Sequence, residues 1–404
     1  LRLLQALRET APPYDARMDR SVSRIPALFM RGGTSKGVFF RATDLPAKPA
    51  VRDALLLRVI GSPDPYGQQM DGLGGGSSST SKVVLLSRST RPGHAVDYLF
   101  GAVAIDRPLV DWSGSCGNLA AAVAPAAIAL GLIEVPADGV ARVPIWQANL
   151  GKTIVAHVPM QAGAPCERGD FMLDGVAFPS AEIRLEFLDP GGGDDGGGRS
   201  GALFPTGRVL DTLSVPGAGT AAATLIDAGN PLAIVDADVL GLTGVEPRDV
   251  INHDDALLAR AEQWRAAAAV AMGLAASPEQ ATRERPATPR LAFVALPQRY
   301  TASDGRTVEP ATIDFVARTF SMGKLHHAMT GSGAIALAAA SVVPGTVVAR
   351  LLGSAPRDGI RFGHPAGVTA VAADAEREGD SWSIRRVVLS RSARILMEGW
   401  VRLP

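Results

Sequence analysis

The sequence predicts an α+β protein of two similar halves, in which many short strands surround two apolar helices. Three observations carry this. Forty-four glycines and twenty-nine prolines are spread through 404 residues, and that punctuation favours short strands and tight turns over long helices. Two Ala-rich runs, 117–133 and 331–343, have no polar face, so a helix built from either must be enclosed, as inside a strongly bent sheet. The segments leading to the first run recur in order before the second, and self-similarity at this scale points to duplication, with two like domains facing each other across a cleft. The length also exceeds one ordinary hydrophobic core.

Taken in order, residues 25–30 (IPALFM) and 37–45 (GVFFRATDL) read as strands around the turn Gly32-Gly33-Thr34. The apolar runs 81–89 and 95–105 make a strand pair, so Lys82 stands where a loop of small residues enters a strand. Residues 117–133 form the first buried helix, and 141–160 a hairpin turning at Leu150-Gly151. From Ala181 the pattern restarts. A strand at 181–190 precedes a low-complexity loop, 191–201, expected to be disordered. Strand–turn–strand comes next over 223–242, with the turn at Gly229-Asn230-Pro231, then a helix from Asp254 to Leu274, strands at 290–296 and 312–320, and the second buried helix at 331–343. The N-termini of the two buried helices, with unpaired N–H groups, would point at the cleft.

Composition narrows the function. Forty basic residues balance forty acidic ones without a basic stripe or charged tail, which disfavours nucleic acid and anionic membrane surfaces as partners. No run of about eighteen uncharged apolar residues occurs, so no membrane span is expected. Two cysteines, Cys116 and Cys166, cannot build a disulfide scaffold and fit a reducing cytoplasm. Residues 1–17 lack the apolar core and cleavage site of a signal peptide; with Met18 just ahead of the first strand-like segment, either Met18 is the natural start or the leader, 1–21, is a disordered extension.

Of the forty basic residues five are lysine: Lys36, Lys48, Lys82, Lys152 and Lys324. Lysine, unlike arginine, can lose its proton near neutral pH, so each one invites a question. Lys36, Lys82 and Lys324 lie in Gly/Ser-rich segments of the kind that carry binding groups. Lys48 and Lys152 read as surface charges.

The segments MRGGTSKGVFF (30–40), DGLGGGSSSTSKV (71–83), SGSCGNLAAAV (113–123), DAGNP (227–231), SMGKLHHAM (321–329), FGHPAG (362–367) and SRSARILMEGWV (390–401) resemble the signature blocks of the PrpF-type methylaconitate isomerases, relatives of diaminopimelate epimerase. The resemblance runs in order from about Ile25 to the C-terminus. It implies the diaminopimelate-epimerase fold: two similar domains, each a β-barrel-like sheet around a central helix, with the active site in the interdomain cleft. On that reading the first domain spans 22–180 and is completed by a last strand at about 390–404, and the second spans 181–389. The resemblance also implies a cofactor-independent isomerase or tautomerase of small unsaturated polycarboxylates. No nucleotide, flavin or metal motif in the chain speaks for a cofactor.

Diaminopimelate epimerases use two thiols, one at the head of each central helix. Here Cys116 heads the first, but Thr330 heads the second, and a hydroxyl is too weak an acid for that exchange. Cys166 lies away from both. Another base is required, and in the resembling family the lysine of the SSTSKV block, here Lys82, is the proposed one. At its free pKa of about 10.4 a lysine is protonated at neutral pH, so burial or nearby cations must lower it. Lys36, Arg31 and the helix N-termini are candidates for that potential. The plainer reading makes Lys82 a carboxylate-binding cation. Cys116, at a helix start where thiol pKa falls, either shuttles the proton or is a small buried core residue.

Moving a double bond in a substituted aconitate means removing a γ-proton and holding the dienolate that results. Backbone N–H groups of Ser115, Cys116, Gly117 and Asn118 are expected to receive that charge. Carboxylate donors are expected from both halves: Gly33, Thr34 and Ser35; Ser77, Ser78, Ser79 and Thr80; Asn230; and Ser321, Met322, Gly323 and Lys324. Closing two such lips would fix the substrate. His326, His327 and His364 read as structural or substrate-contact groups, because adjacent histidines do not share a helix face and no cluster has metal-ligand spacing.

Two other classes compete. GLGGGSSST superficially resembles the phosphate loop of homoserine and mevalonate kinases, but the next segment, KVVLLSRS, is strand-like rather than helical. A non-catalytic accessory to an aconitase-like dehydratase is the second; an isomerase is also compatible with functional pairing to such a dehydratase and with a homodimer. Within the resembling family the substrates include 2-methylaconitate in the methylcitrate cycle of propionate breakdown, 4-oxalomesaconate in gallate breakdown, and methylitaconate. The first is the leading expectation.

Overall fold

The computed structural model describes residues 24–191, 202–353, 359–379 and 381–403. The leader expected over 1–21 and all but Gly191 of the low-complexity loop lie outside these residues.

The longer elements of the first half are β1 (Arg24–Gly32), β2 (Ser35–Arg41), α1 (Pro49–Ile60), β3 (Lys82–Arg88), β4 (Val96–Val103), α2 (Ala120–Ala129), β5 (Gly139–Gln147), β6 (Lys152–Gln161) and β7 (Ile183–Leu188). The second half has β8 (Asp211–Val215), β9 (Gly219–Asp227), β10 (Pro231–Asp236), α3 (Asp255–Ala271), β11 (Arg290–Ala295), β12 (Phe315–Ser321), α4 (Gly331–Val342), β13 (Ile360–His364), β14 (Gly367–Glu378), β15 (Ser381–Arg391) and β16 (Ala393–Arg402).

The pairing directions expose the repeat. From β1 through β7, successive neighbours pair antiparallel, parallel, antiparallel, parallel, antiparallel and antiparallel. From β9 through β15 the same six directions recur. α2 and α4 fall at the same place in each series, before its fifth strand. β7 pairs with β15, which joins the two series into one 19-stranded sheet. In the second half β8 flanks β9; in the first, the matching place beside β1 is taken by β16, registered from Arg24↔Arg402 to Gly32↔Ala393.

A sheet of so many strands must curl, and the small side chains of the two Ala-rich helices let it curl tightly. α2 touches β1, β3, β4, β5, β6, β7 and β16, and its residues Ala120 to Ala127 are all buried. α4 touches β9, β10, β14 and β15, with Gly331 to Ala340 buried. Both helices belong to one hydrophobic core. Enclosure comes from the lack of a polar face, as the sequence predicts.

Three local expectations need correcting. α2 runs over ten residues rather than 117–133, because Cys116 to Leu119 form the turn that enters it and Gly131, at φ +66°, ends it. The strand expected to reach residue 45 stops at Arg41, where Ala42–Asp44 make a single 3₁₀ turn. α1 has no counterpart among the expected elements, although Pro49 opens it and Gly61, at φ +83°, closes it. Among the described residues no helix is long and apolar enough to cross a membrane.

Candidate active site

Lys82 opens β3 with its side chain buried, and Cys116 sits on the turn into α2. Their exposures are 6% and 5%. Lys82 Nζ donates to Cys116 Sγ at 3.6 Å and lies 5.2 Å from the centre of the Phe100 ring. Glycine at 37 leaves room for this lysine, since a Cβ there would stand 3.0 Å from the Lys82 carbonyl oxygen and 3.2 Å from its Cβ. The Cys116 sulfur accepts the Leu119 N–H at 3.4 Å, while its carbonyl accepts the Tyr98 hydroxyl at 3.2 Å and the Ala120 N–H at 2.9 Å. A thiolate placed so meets the positive end of the helix.

The second helix brings its own positive end to the same point. A Cβ on Gly117 would stand 2.8 Å from the Gly331 carbonyl carbon, and one on Gly331 would stand 2.5 Å from Asn118 N. The two N-termini therefore meet backbone to backbone. Thr330 caps α4, its Oγ1 accepting the Gly333 N–H at 3.2 Å, which commits the hydroxyl to the helix.

Burial lowers the Lys82 ammonium below its usual range; the Cys116 thiolate opposes this and Arg290 reinforces it. For Cys116 burial pushes the thiol up, but Lys82, the Leu119 N–H, Arg290 and the Asn118 N–H together outweigh it and hold the thiol below its usual value. Both pKa values are thus lowered, the amine toward its neutral form and the thiol toward thiolate, and the two titrate as a pair. The pair can hold one mobile proton, which is what a base working at neutral pH needs.

Arg290, at the start of β11, did not emerge from the sequence. It is buried, its Nη1 donates to Ser332 Oγ, and Cys116 and Asp111 counter the loss of solvation that lowers its pKa. Among the described residues its Nε has no partner, nor do the buried Ser35 Oγ and His326 Nε2. His326 Nδ1 accepts the Ala328 N–H at 3.1 Å, which leaves Nε2 as the protonated nitrogen. Burial first, then His327, Lys82 and Arg290, hold His326 well below the usual histidine range and therefore neutral. Unpaired buried donors are costly. Arg290, His326 and Lys82 lie near enough to act on one another's charge, and an anion among them would satisfy the Arg290 Nε and His326 Nε2 donors. Among the described residues no three His, Cys, Asp or Glu side chains gather as a metal site requires.

The structure distributes the other expected residues unevenly. Asn118 is a hub: its Nδ2 donates to Thr34 Oγ1 at 3.0 Å and to the Met329 carbonyl at 3.1 Å, and its Oδ1 accepts Arg391 Nε at 3.0 Å. Gly33, at φ +51°, is needed because a Cβ would stand 2.6 Å from Asn118 Oδ1. Asn230 holds elements together instead of facing a ligand. Its Oδ1 accepts the Ser115 N–H at 2.7 Å, and its Nδ2 donates to the Ser115 carbonyl and to Ser332 Oγ. Two of the four expected oxyanion donors are accordingly engaged, Ser115 N–H by Asn230 and Asn118 N–H by the Cys116 sulfur.

Ser77 bonds to the hydroxyls of Ser79 and Thr80, and Ser78 beside it is half-buried. The loop they form leads into a strand, unlike a kinase phosphate loop. Lys324 is a clear departure from expectation. It is exposed and donates to the Asn252 carbonyl at 3.0 Å, at a tight turn whose Met322 and Gly323 have positive φ, while Ser321 is buried at the end of β12. Nor do Lys36 and Arg31 supply the potential at Lys82: that cation is Arg290. Lys36 lies over the Phe29 ring at 5.7 Å, and Arg31 donates to Gly33, Ser180 and Ser392. Cys166 lies at the opposite end of α2, on a cavity shared with Pro125, Ile128 and Ala129.

A cavity of about 920 Å³ is lined by Thr34, Ser35, Ser79, Thr80, Ser180 and His327, among others. One wall is a strap, residues 167–180, that belongs to the first half but is anchored on the second: Asp174 pairs with Arg306 at 2.6 Å and accepts the Val368 N–H at 2.7 Å. Lys82 and Cys116 are not on its walls.

Arg290 lowers both members of the pair, so its removal raises both. Arg290→Met should move the acid limb of the kcat/KM profile to higher pH and reduce kcat/KM at neutral pH by more than about tenfold. A limb that stays in place or moves to lower pH would refute the electrostatic role.

A family model described as PrpF protein matches residues 22–404. The 2-methyl-aconitate isomerase of Cupriavidus necator is 53% identical over 388 residues, covering 94% of this chain and 97% of the relative. The 3-methylitaconate isomerase of Eubacterium barkeri is 38% identical over 380 residues, 94% of this chain and 97% of the relative. Among solved structures, that of a methylitaconate-delta-isomerase is similar with a TM-score of 0.72 at 37% identity, covering 94% of this chain and 95% of that one.

Proposed function

Because the chain belongs to the PrpF protein family and is an isomerase with a diaminopimelate-epimerase-like fold, we propose that it interconverts the cis and trans forms of 2-methylaconitate with Lys82 as the base. The observation that supports this most is the buried contact of Lys82 Nζ with Cys116 Sγ at 3.6 Å, beside Arg290 and two apposed helix N-termini. The neutral amine takes a proton from the methylene that lies γ to a carboxylate through the double bond. The electron pair enters the conjugated system and gives a dienolate, in which the former double bond can rotate. Arg290, the His326 Nε2–H and the Ser35 hydroxyl hold the carboxylates while negative charge grows. Return of the proton to the same carbon restores the double bond in the other geometry. Cys116 tunes the amine and relays the proton.

The reacting cleft lies between the units 22–180, completed by 390–404, and 181–389. Thr34, Ser79 and Thr80 bind the substrate at its rim. Functional pairing with an aconitase-like dehydratase, and a homodimer, belong to the same proposal. The test is proton NMR in D₂O: the methylene of 2-methyl-cis-aconitate should exchange with solvent as the trans isomer appears. Higher kcat/KM for methylitaconate would move the substrate to that compound. Absence of exchange with any of these acids would overturn the proposal.

A further inference from the structure

The walls of the 920 Å³ cavity carry five cations, Arg31, Lys36, Arg168, Arg248 and Arg394, against one carboxylate, Glu167, among the described residues. On a chain of zero formal net charge this is a strong local excess. Both halves supply it, Arg31, Lys36 and Arg168 from the first and Arg248 and Arg394 from the second. The Arg31 guanidinium is half-buried and held by four contacts to neutral oxygens, on Gly33, Ser180 and Ser392, with no carboxylate of the described residues bonded to it. Burial first, and then Arg394, depress the Arg31 pKa, with Glu167 opposing them. Glu167 is partly committed elsewhere, its Oε1 accepting the Ile395 N–H at 2.7 Å. Arg248 has Asp249 beside it at 3.0 Å, exposed on the outside. Like charges gathered on a concave wall raise the local concentration of an oppositely charged ligand.

We propose that this cavity is an anion-collecting antechamber that captures tricarboxylates ahead of the buried catalytic pair and favours trianions over dianions. The inference rests on the reading of the chain as a tricarboxylate isomerase, but its charges act on capture and not on proton transfer. Rim charges change association and its salt dependence more than they change a buried chemical step. At physiological ionic strength the screening length is about 8 Å, so several cations on one cavity still act together.

Tricarballylate, an inert saturated tricarboxylate, is the probe. Calorimetry on the full chain should show its affinity falling on the order of tenfold between low and physiological salt, and by a similar factor in Arg394→Glu or Arg168→Glu, with succinate affected less. In the isomerase assay the same variants should lose kcat/KM and keep kcat within about twofold. Both side chains are exposed, so the fold should tolerate the exchange, and an unchanged melting temperature would check that. No binding of tricarballylate at low salt, equal salt dependence for succinate, unchanged affinity in both variants, or a fall confined to kcat would each overturn the proposal. Salt-dependent binding without any turnover would instead sink the proposed reaction and leave the antechamber standing.

Discussion

Lys82→Ala should abolish exchange of solvent deuterium into the substrate, a loss of about two to four decades in rate, while tricarballylate still binds. The reason is positional. Lys82 Nζ is the amine that touches the buried thiol, and burial together with Arg290 depresses its pKa. Cys116→Ser should retain measurable turnover, because a hydroxyl can take the place of the sulfur at the head of α2. Its pH profile should also move in a defined direction. The thiolate raises the Lys82 pKa, so losing it lowers that pKa and shifts the acid limb to lower pH, opposite to the shift expected of Arg290→Met. The reverse ranking, with Cys116→Ser inactive and Lys82→Ala active, would place proton abstraction on the thiolate and make Lys82 a carboxylate anchor.

The repeat was legible because it is written in residue type. Two runs with no polar face have to be enclosed, and each comes after the same succession of strand, small-residue turn and further strands. The order of pairing was not legible. β4 beside β5, and β12 beside β13, are parallel neighbours separated by an intervening helix, and such crossovers leave no local signal. The docking of β16 on β1 joins the two ends of the chain and entered only through family resemblance. α1 has no counterpart in the sequence reading although its start and stop residues, Pro49 and Gly61, stand in the chain.

The site was legible where a residue type was rare. Five lysines made Lys82 conspicuous, whereas Arg290 was one of thirty-five arginines in a chain that writes most of its positive charge that way. Rarity misled at Lys324, whose Gly-rich surroundings are only a tight turn exposed to solvent. His326 was seen, but its orphaned Nε2 is a property of packing and not of spacing. Asn230 illustrates the limit most directly: the turn that carries it was found, yet its amide binds Ser115 and Ser332 across the two halves, a partnership between residues more than a hundred positions apart.

Gly331→Ala should separate the two helix heads and reduce kcat by about a hundredfold at a stability cost of no more than about 3 kcal/mol. The Cβ it adds would stand 2.5 Å from Gly117 C and 2.5 Å from Asn118 N. Both contacts are backbone, so no rotamer change relieves them and one helix must move. Overpacking of this kind costs about 1–3 kcal/mol, but alanine is better than glycine within a helix by up to about 1 kcal/mol, and α4 begins at this residue. The net loss of stability is therefore about 0–3 kcal/mol. The chemistry does not share that compensation. Displacing α4 stretches the Asn230 bridge from Ser332 to Ser115 and carries Ser332, the partner of Arg290, away from Cys116. A shift of about 1 Å in a positioned catalytic group is enough to cost about a hundredfold. Denaturant titration beside steady-state kinetics reads the two effects separately. Wild-type kcat in a stable Gly331→Ala protein would show that contact between the two helix heads is not what arms Lys82 and Cys116.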